Sequence, residues 1–488
     1  MYAILQGHNF INEVQSISQL FFHNEKFILT DTPVETGVTI ASILTETDLT
    51  TALYENGRLI GTVIKSRAAN VSKSAYEEYL TRANHPLIFL VAESVYEICM
   101  KYYPKNIPWG MLVGVRPVKL VRDLKKKGLS DKEVLKLLTG IFRVDNEKTS
   151  LCLKIADNSR RLPIDDKAVS LYVSVPFCPS ICLYCSFSSY LYAKHKKTAE
   201  FYIKCLTKEL GFVAEYLNKQ GKSVQSLYIG GGTPTSLELG LFNDILGSIR
   251  TLGLSPTTEY TVEAGRPDTI CEENLSLMKN YGVTRISVNP QTLNDDTLVR
   301  IGRNHTSNDF FRAYEQASNY DFIINIDLIM GLMGETLKDT NKTLSMVEKL
   351  YPVNLTIHTL SVKRASKLKE TLNENTLINP DIDQMLFESA KTAEKIGLYP
   401  YYLYRQKNTL GNLENIGYSA PQKECLYNVY VTDELQTIIA VGAGGVTKHY
   451  KKETNLIRRI YNVKAPEEYA RRVDQMIERK KKLYAYDS

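Results

Sequence analysis

Six short apolar runs recur between residues 170 and 362 and set the pattern of the chain. They are SLYVSV, SLYIG, EYTVEA, RISVNP, FIINIDLIMG and LTIHTLSV, which start near Ser170, Ser226, Glu259, Arg285, Phe322 and Leu355. Each run has the length and composition of a buried strand, and intervals of roughly 25 to 55 residues can each hold a crossover helix. Helical patterns at 198–219 and 239–251 occupy two of these intervals. Strands alternating with helices indicate a parallel α/β architecture.

Six strand–helix units fall short of the eight in a closed TIM barrel. We therefore predict an open, partial (β/α)6 barrel with TIM-like topology over residues 163–374. Residues 1–162 are predicted to form an N-terminal α+β domain of open role, and residues 375–488 a C-terminal, mostly helical domain. Outside the barrel the pattern predicts strands and helices at 26–29, 58–63, 75–103, 131–139, 145–161, 382–398, 437–441 and 465–482.

The first run leads directly into a loop with three cysteines, Cys178, Cys182 and Cys185, in the spacing C-x3-C-x2-C. Three thiolates can hold three irons of a 4Fe–4S cluster and leave the fourth iron open to a small molecule. A zinc site is disfavoured, because neither a second C-x2-C pair nor a His accompanies the loop. A disulfide framework is disfavoured because the number is odd and the chain is long. Packed core cysteines are the remaining alternative, and Pro176 and Pro179 favour a constrained loop instead.

Glycine and polar residues stand at the ends of the later runs. These are Gly231, Gly232 and Thr233 after the second, Glu263 and Gln291 after the third and fourth, Arg303 beyond them, and Asp327 and His358 in the last two. Glycines let a ligand approach the backbone, and exposed amides can bind a carboxylate. A carboxylate within an apolar strand is costly unless it is paired, so Asp327 is either a ligand or a structural cap. The set could hold the amino acid and ribose parts of a nucleoside-like cofactor, whereas His358 is equally well explained as a core histidine.

Composition restricts the partners. A net charge of +6 on 488 residues is modest and does not predict binding to nucleic acid. The chain has no apolar run long enough to span a bilayer and no secretory leader at its start, so a cytoplasmic protein is expected. The five cysteines outside the loop are predicted to be small buried hydrophobes.

The motifs C-x3-C-x2-C, GGGTPT, EAGRPDT, NPQT, GRNH and INIDLIMGL resemble those of radical S-adenosylmethionine (SAM) enzymes, and most closely the oxygen-independent coproporphyrinogen III dehydrogenases. PWGMLVGVRPVKL, HTLSVKRAS and ECLYN resemble the longer HemZ-type branch of this HemN/HemW family, and the resemblance covers nearly the whole chain. It implies that Cys178, Cys182 and Cys185 ligate a 4Fe–4S cluster on which catalysis depends, with SAM on the open iron. It also implies SAM contacts from Tyr172, Gly231, Gly232, Thr233, Glu263, Gln291, Arg303 and Asp327.

The activity that this resemblance implies is oxidative decarboxylation. A 5′-deoxyadenosyl radical, formed from SAM by the reduced cluster, would take hydrogen from a propionate of coproporphyrinogen III. Loss of carbon dioxide and an electron would leave a vinyl group, and two rounds would give protoporphyrinogen IX in anaerobic heme biosynthesis. The implied partners are the porphyrinogen substrate and a reductant such as a flavodoxin or ferredoxin. Lys363, Arg364 and Arg405 are candidates to bind the propionates.

Two positions depart from the well-studied dehydrogenases, which carry a fourth motif cysteine where this chain has Phe187 and a His where it has Ser174. Heme chaperone relatives share the C-x-F ending, so a heme chaperone or heme-binding protein is one alternative. A radical SAM methyltransferase that opens heme is another. Against a chaperone, the chain has no Trp after Trp109 and so lacks an HNxxYW heme motif, and it reads GAGGVTK at the GPGAHS-like loop.

Overall fold

A computed structural model describes residues 1–22, 25–67, 86–114, 116–187, 189–362, 366, 368, 379–406 and 408–482. Two compact units make up the chain. One consists of Met1–Pro117 and Asp123–Leu153, and the other of Val118–Arg122 and Lys154–Ser488. The division into three domains stays a prediction. The first part of the helix predicted at 75–103 lies outside the described residues.

The smaller unit has a five-stranded sheet. Its strands are β1 (Tyr2–Gln6), β2 (Ile28–Leu29), β3 (Val38–Leu44), β4 (Asp48–Glu55) and β5 (Arg58–Ser66). The order is β2-β1-β3-β4-β5, in which β1 runs parallel to β2 and β3 while β3, β4 and β5 form an antiparallel meander. Two helices, α1 (Ile11–Phe21) and α2 (Pro86–Tyr102), contribute buried apolar residues to the same core as the sheet. This region is therefore α+β, as predicted.

Three more helices follow before the barrel. They are α3 (Pro117–Lys126), α4 (Asp131–Gly140) and α5 (Asn146–Arg160). Ser130 begins α4 with a capping box. Its hydroxyl accepts from the backbone amide of Glu133, and the Glu133 carboxylate accepts from the backbone amide of Ser130. The sequence predicts α4 and α5 within one or two residues at each end.

Six parallel strands form the centre of the larger unit. They are β6 (Ala168–Val175), β9 (Ser223–Gly231), β10 (Glu259–Val262), β11 (Arg285–Ser287), β12 (Ile323–Met330) and β13 (Asn354–Thr359). They are neighbours in this order, each parallel to the next. All six predicted strands are thereby confirmed, together with the parallel α/β architecture.

Helices occupy the intervals between these strands. They are α6 (Lys196–Gln220), α7 (Leu239–Arg250), α8 (Glu272–Asn280), α9 (Asp295–Arg300), α10 (Ser307–Ser318) and α11 (Leu337–Leu350). Asn294, Thr306 and Thr336 accept hydrogen bonds from backbone amides of the first turn of α9, α10 and α11. On α7 the buried residues Phe242, Ile245 and Ile249 recur at helical spacing, as expected for a crossover helix that packs on a sheet.

The region after residue 379 adds strands to both sides of the six. Strands β14 (Tyr399–Arg405) and β15 (Glu414–Ser419) join antiparallel beyond β13. Strand β16 (Ile438–Val441) lies parallel to β6, and β17 (Val446–Lys451) and β18 (Leu456–Tyr461) continue antiparallel from it. The described part of the larger sheet thus has eleven strands.

Four helices accompany these strands. They are α12 (Ile382–Lys395), α13 (Leu426–Asp433), α14 (Pro466–Arg471) and α15 (Val473–Lys481). The single helix predicted at 465–482 is wrong, because the backbone at Arg472 leaves helical geometry (φ −120°, ψ 19°) and separates α14 from α15. In the described part of the chain, no helix is both long and apolar enough to cross a membrane.

Candidate functional site

The cysteine loop begins where β6 ends. A two-residue strand, β7 (Phe177–Cys178), pairs in parallel with β8 (Tyr190–Leu191) and closes the loop at its base. Inside it, the amide of Cys185 donates to the carbonyl of Cys182 at 3.1 Å. The hydroxyl of Thr233, beyond the end of β9, lies 3.6 Å from Cys178 Sγ. The three cysteines therefore lie at the carboxyl end of the first barrel strand, where the sequence predicts them.

The three cysteines of the loop are free thiols. Among the described residues no group of three or more His, Cys, Asp or Glu side chains is placed to hold a single metal ion. Burial raises the pKa of the Cys178 and Cys185 thiols, so both are protonated in the free chain at neutral pH. A bound metal would deprotonate them. Three thiolates in one loop are a ligand set for a multi-iron cluster.

The glycines at the end of β9, Gly231 and Gly232, lie directly against the cysteine loop. The Gly232 amide donates to the carbonyl of Val175 at 2.9 Å and the Thr233 amide to that of Phe177 at 2.7 Å. A Cβ atom on Gly232 would lie 2.5 Å from the Phe177 carbonyl oxygen, so only glycine fits there. Gly231 has a φ of +103°. These glycines allow the close approach of two strand ends, and their contact with SAM stays a prediction.

Glu263 follows β10 and faces the end of β9. Its carboxylate accepts a hydrogen bond from the Tyr228 hydroxyl at 2.6 Å and from the Gly231 amide at 3.2 Å. Burial raises the pKa of Glu263 to about 7, although the Tyr228 hydrogen bond acts in the opposite direction. At neutral pH this carboxyl group can therefore be neutral or charged, and a cationic ligand would favour the charged form.

Asp327 lies on β12 within a cluster of side chains. Asn289 and Asn325 donate to its two carboxylate oxygens at 2.7 and 2.6 Å, and His358 Nε2 is 3.8 Å from Oδ2. Burial opposes ionisation, but the hydrogen bonds from His358 and Asn325 hold the pKa of Asp327 below its usual value. His358 also contacts the Tyr404 hydroxyl at 3.1 Å through Nδ1. Asp327 is thus an anion whose oxygens keep further lone pairs for a ligand.

Arg303 connects the cysteine loop to these strand ends. Its Nη1 donates to the carbonyls of Gly265 and Asn289 at 3.1 and 3.0 Å, and its Nη2 to the Tyr184 hydroxyl at 3.1 Å. The arginine is only 7% exposed, and within the described residues its buried Nε has no hydrogen-bond partner. A buried guanidinium with an unpaired donor can bind an anion.

Two further predicted residues complete the set. Gln291 is buried, with a φ of +70°, and its backbone amide donates to the backbone carbonyl of Asp327 at 3.1 Å. The Tyr172 ring on β6 stacks on Tyr228 and Tyr427, with ring centroids 6.2 and 6.0 Å apart. The SAM contacts of Gln291 and Tyr172 stay predictions.

Five polar residues of the site escaped the sequence analysis, among them Asn325, which donates to Asp327. Asn289 holds Asp327 and Arg303, Tyr184 holds Arg303, and Tyr228 holds Glu263. Arg266 lies against the cysteine loop. Only their positions in the sequence could have indicated a role. Tyr184 stands between two motif cysteines, and Asn289 and Arg266 lie inside the motifs NPQT and EAGRPDT.

Of the three residues predicted to bind propionates, only Arg405 lies within the described residues. Lys363 and Arg364 lie outside the described residues. Arg405 is 4% exposed and its Nη2 donates to the carbonyl of Asn412 at 3.1 Å. Propionate binding by these three side chains stays a prediction.

The residues present fit a 4Fe–4S cluster with a zwitterionic ligand. Three thiols occupy one loop, and an unpaired guanidinium donor and two carboxylates lie at the adjacent strand ends. Thiolates are the ligands of such clusters, and the other groups complement a carboxylate, an amine and hydroxyls.

Residues 172–347 match the family model described as the radical SAM superfamily. Over 382 residues the chain is 37% identical to the oxygen-independent coproporphyrinogen-III oxidase-like protein HemZ of Bacillus subtilis (strain 168), covering 76% of each protein. The chain belongs to the HemZ-type branch of the radical SAM superfamily. Membership implies a 4Fe–4S cluster and SAM as cofactors.

The family also contains proteins of a different kind. The heme chaperone HemW of Bacillus subtilis (strain 168) is 32% identical over 220 residues, which cover 44% of this chain and 56% of that relative. Among solved structures, coproporphyrinogen III oxidase (HemN) from Escherichia coli aligns with a TM-score of 0.52 and 21% identity, over 66% of this chain and 72% of that one. At that identity the similarity concerns the fold, and it confirms the predicted fold class.

Proposed function

We propose that this protein is an oxygen-independent coproporphyrinogen III dehydrogenase that converts two propionates of its substrate to vinyl groups. Cys178, Cys182 and Cys185 would ligate a 4Fe–4S cluster, and SAM would bind its open iron. When bound and reduced, these cofactors supply a 5′-deoxyadenosyl radical that removes hydrogen from a propionate. Loss of carbon dioxide and one electron to an external acceptor then leaves the vinyl group.

The side chains of this chain would bind and orient SAM. The free Nε of Arg303 would donate to the SAM carboxylate, because it is a buried cationic donor. Glu263 would hold the SAM amino group as a carboxylate, and Asp327 would accept hydrogen bonds from the ribose hydroxyls. Asn289 and Asn325 fix the orientation of the Asp327 carboxylate. Such pre-oriented partners restrict the position of the reacting carbon.

One observation carries this proposal more than the others. Arg303 donates to Tyr184, which belongs to the cysteine loop, and to the carbonyl of Asn289. The side chain of Asn289 in turn donates to Asp327. The loop expected to bind the cluster and the strand ends expected to bind SAM are therefore parts of a single hydrogen-bonded site. A ligand that lies on the cluster would reach Asp327 across this network.

Anaerobic reconstitution with iron and sulfide, followed by assay with SAM, reductant and coproporphyrinogen III, tests the proposal. We expect a brown protein that forms 5′-deoxyadenosine together with a vinyl-bearing porphyrinogen. Cys182→Ala should abolish the absorbance of the cluster and both products. Cys271→Ser is the matched control, because Cys271 lies outside the loop and should leave iron content and products unchanged. Full cluster absorbance in Cys182→Ala would refute the ligand assignment.

The alternative with support of its own is a heme-binding or heme-transfer protein. Phe187 takes the place of the fourth motif cysteine, as in chaperone relatives, and its side chain is 68% exposed beside the loop. Heme titration of the same reconstituted preparation separates the two functions. Tight heme binding with no turnover of the porphyrinogen would favour the chaperone, and turnover without stable heme binding would favour the dehydrogenase.

A further inference from the structure

Arg266 is a buried arginine beside the cysteine loop, in addition to the residues expected to bind SAM. It belongs to EAGRPDT and stands between β10 and the helical turn Pro267–Thr269. Its side chain is 4% exposed. A guanidinium carries a permanent charge and five N–H donors, so burial to this depth is costly unless neighbouring groups accept those donors.

The neighbours of Arg266 determine where its remaining donor points. Nε and Nη2 donate to the two carboxylate oxygens of Asp268 at 3.0 and 3.1 Å, which is a two-pronged contact that fixes the plane of the guanidinium. Nη1 donates to the carbonyl of Ser180 at 3.3 Å and lies 3.9 Å from Cys182 Sγ. Asp268 thus orients the guanidinium of Arg266 so that Nη1 faces Cys182, the central cysteine of the loop.

Arg303 shows that a charge near the loop does not by itself produce this contact. Its Nη groups donate to two carbonyls and to the Tyr184 hydroxyl. Arg266, by contrast, touches both the backbone of the loop, at Ser180, and a sulfur within it. Arg303 therefore joins the loop, at Tyr184, to the strand ends, whereas Arg266 is the one of the two that hydrogen-bonds to a cysteine sulfur.

We infer that Arg266 is a positioning residue of the cysteine loop whose N–H···S hydrogen bond to Cys182 raises the reduction potential of a cluster held there. The inference rests on the proposed function, since the cluster is part of it. Hydrogen bonds to the sulfurs and nearby charge are among the factors that set cluster potentials. Reduction adds one electron, from an external low-potential donor, and a positive N–H group at a ligand sulfur stabilises that added negative charge.

The test compares the cluster potential of wild type and Arg266→Met in reconstituted full-length protein without SAM. Each sample is titrated anaerobically with dithionite, and the reduced cluster is counted by its electron paramagnetic resonance signal. At a fixed potential we expect the ratio of reduced to oxidised cluster to fall about tenfold in the variant, which equals a midpoint about 59 mV lower for a one-electron couple. Arg250→Met is the matched control, because Arg250 is exposed at the end of α7 and should leave the midpoint unchanged.

Two further variants keep the inference testable if Arg266→Met holds little iron. Asp268→Asn retains the guanidinium but weakens its alignment, so a smaller shift in the same direction is expected. Arg266→Lys keeps the charge without the fork and should fall between wild type and Arg266→Met. Loaded variants whose midpoints equal that of wild type would overturn the inference. A wild-type chain that forms no cluster would instead remove the proposed function itself.

Discussion

The two ends of the barrel strands bury the same kinds of polar groups and use them differently. At the amino end, Glu259 of β10 accepts hydrogen bonds from the first two backbone amides of α13 at 2.9 and 3.1 Å. Arg285 of β11 donates through Nη2 to the carbonyls of Lys423 and Glu424 at 2.7 and 2.8 Å. These side chains bind main-chain groups of the C-terminal region and fasten it to the sheet.

At the carboxyl end the partners of the buried polar groups are mostly other side chains. Asp327 is held by two asparagines, Glu263 has a pKa raised to about 7, and Arg303 keeps a buried Nε without a partner among the described residues. In barrel folds the carboxyl end of the strands carries function and the amino end stability. Unpaired donors alone do not make this difference, since Arg285 also keeps Nε and Nη1 without a hydrogen-bond partner among the described residues. The difference lies in the partners. Glu259 and Arg285 hold main-chain groups and each other, whereas Asp327 and Glu263 are held by side chains at strand ends where a ligand can join them.

The largest expected effect is at the amino end, for Glu259→Ala. Glu259 Oε2 lies 3.5 Å from Arg285 Nε, and the side chains of the pair are 9% and 2% exposed. Removing the carboxylate leaves a buried charge uncompensated, so the free energy of unfolding should fall by about 3–5 kcal/mol. Denaturant unfolding of the cluster-free chain measures this change.

Glu259→Gln is the control for that prediction. It keeps an oxygen for the α13 amides and loses only the charge, so it should destabilise less than Glu259→Ala. SAM affinity of the folded, reconstituted variants should match wild type. A Glu259→Ala chain with normal stability and weakened SAM binding would place function at the amino end and break the comparison.

The second effect is at the carboxyl end, for Asp327→Ala. If Asp327 binds SAM, its removal should weaken SAM binding about 100-fold, or by about 2.8 kcal/mol. The free energy of unfolding should change by less than about 1 kcal/mol, because Asp327 is 21% exposed and water can accept the hydrogen bonds that Asn289 and Asn325 lose. Anaerobic calorimetry with the reconstituted protein gives the affinity. Unchanged SAM affinity together with a large loss of stability would show that Asp327 is a structural cap.

The sequence predicts the barrel well because its information is local there. Each of the six strands is visible in the sequence as an apolar, β-branched run. The polar residues at the strand ends can be located because they come directly after these runs in the chain. The pairing of β16 with β6 has no such signal, since Ile438 and Ser170 meet only in the fold. The break at Arg472 also escaped detection, because both halves of 465–482 have good helical composition.

The site was predictable as far as motifs reach. The sequence singles out the cysteines and strand-end residues because their chemistry is unusual for a loop or an apolar strand, and their binding roles stay predictions. Asn289 and Tyr228 were not, because an amide and a phenol are ordinary in such positions until their partners are known. Hydrogen bonds between side chains of different strands depend on the distances between those strands. The residue pattern within one strand does not predict them.

The smallest expected effect is a pH dependence that originates at Glu263. Burial raises its pKa from the ordinary value of 4.5 to about 7, with Asp327 acting in the same direction and Tyr228, the Gly231 amide and His358 against it. Between these two values the folded chain keeps a proton that the unfolded chain has released. The corresponding stability is fully present below pH 4.5 and is lost as the pH rises through 7. Allowing for partial solvent access, the loss is about 2 kcal/mol.

Unfolding free energies of the cluster-free chain at pH 5 and pH 8 test this, with Glu263→Gln as the reference. Glutamine keeps an acceptor for Tyr228 but cannot titrate, so wild type should lose about 2 kcal/mol more than the variant between the two pH values. Equal losses would mean that Glu263 is already ionised at pH 5 and fully satisfied by its protein partners. Glu263 would then resemble Glu259, whose carboxylate is satisfied by its protein partners, and it would have no unmet charge with which to favour a cationic ligand.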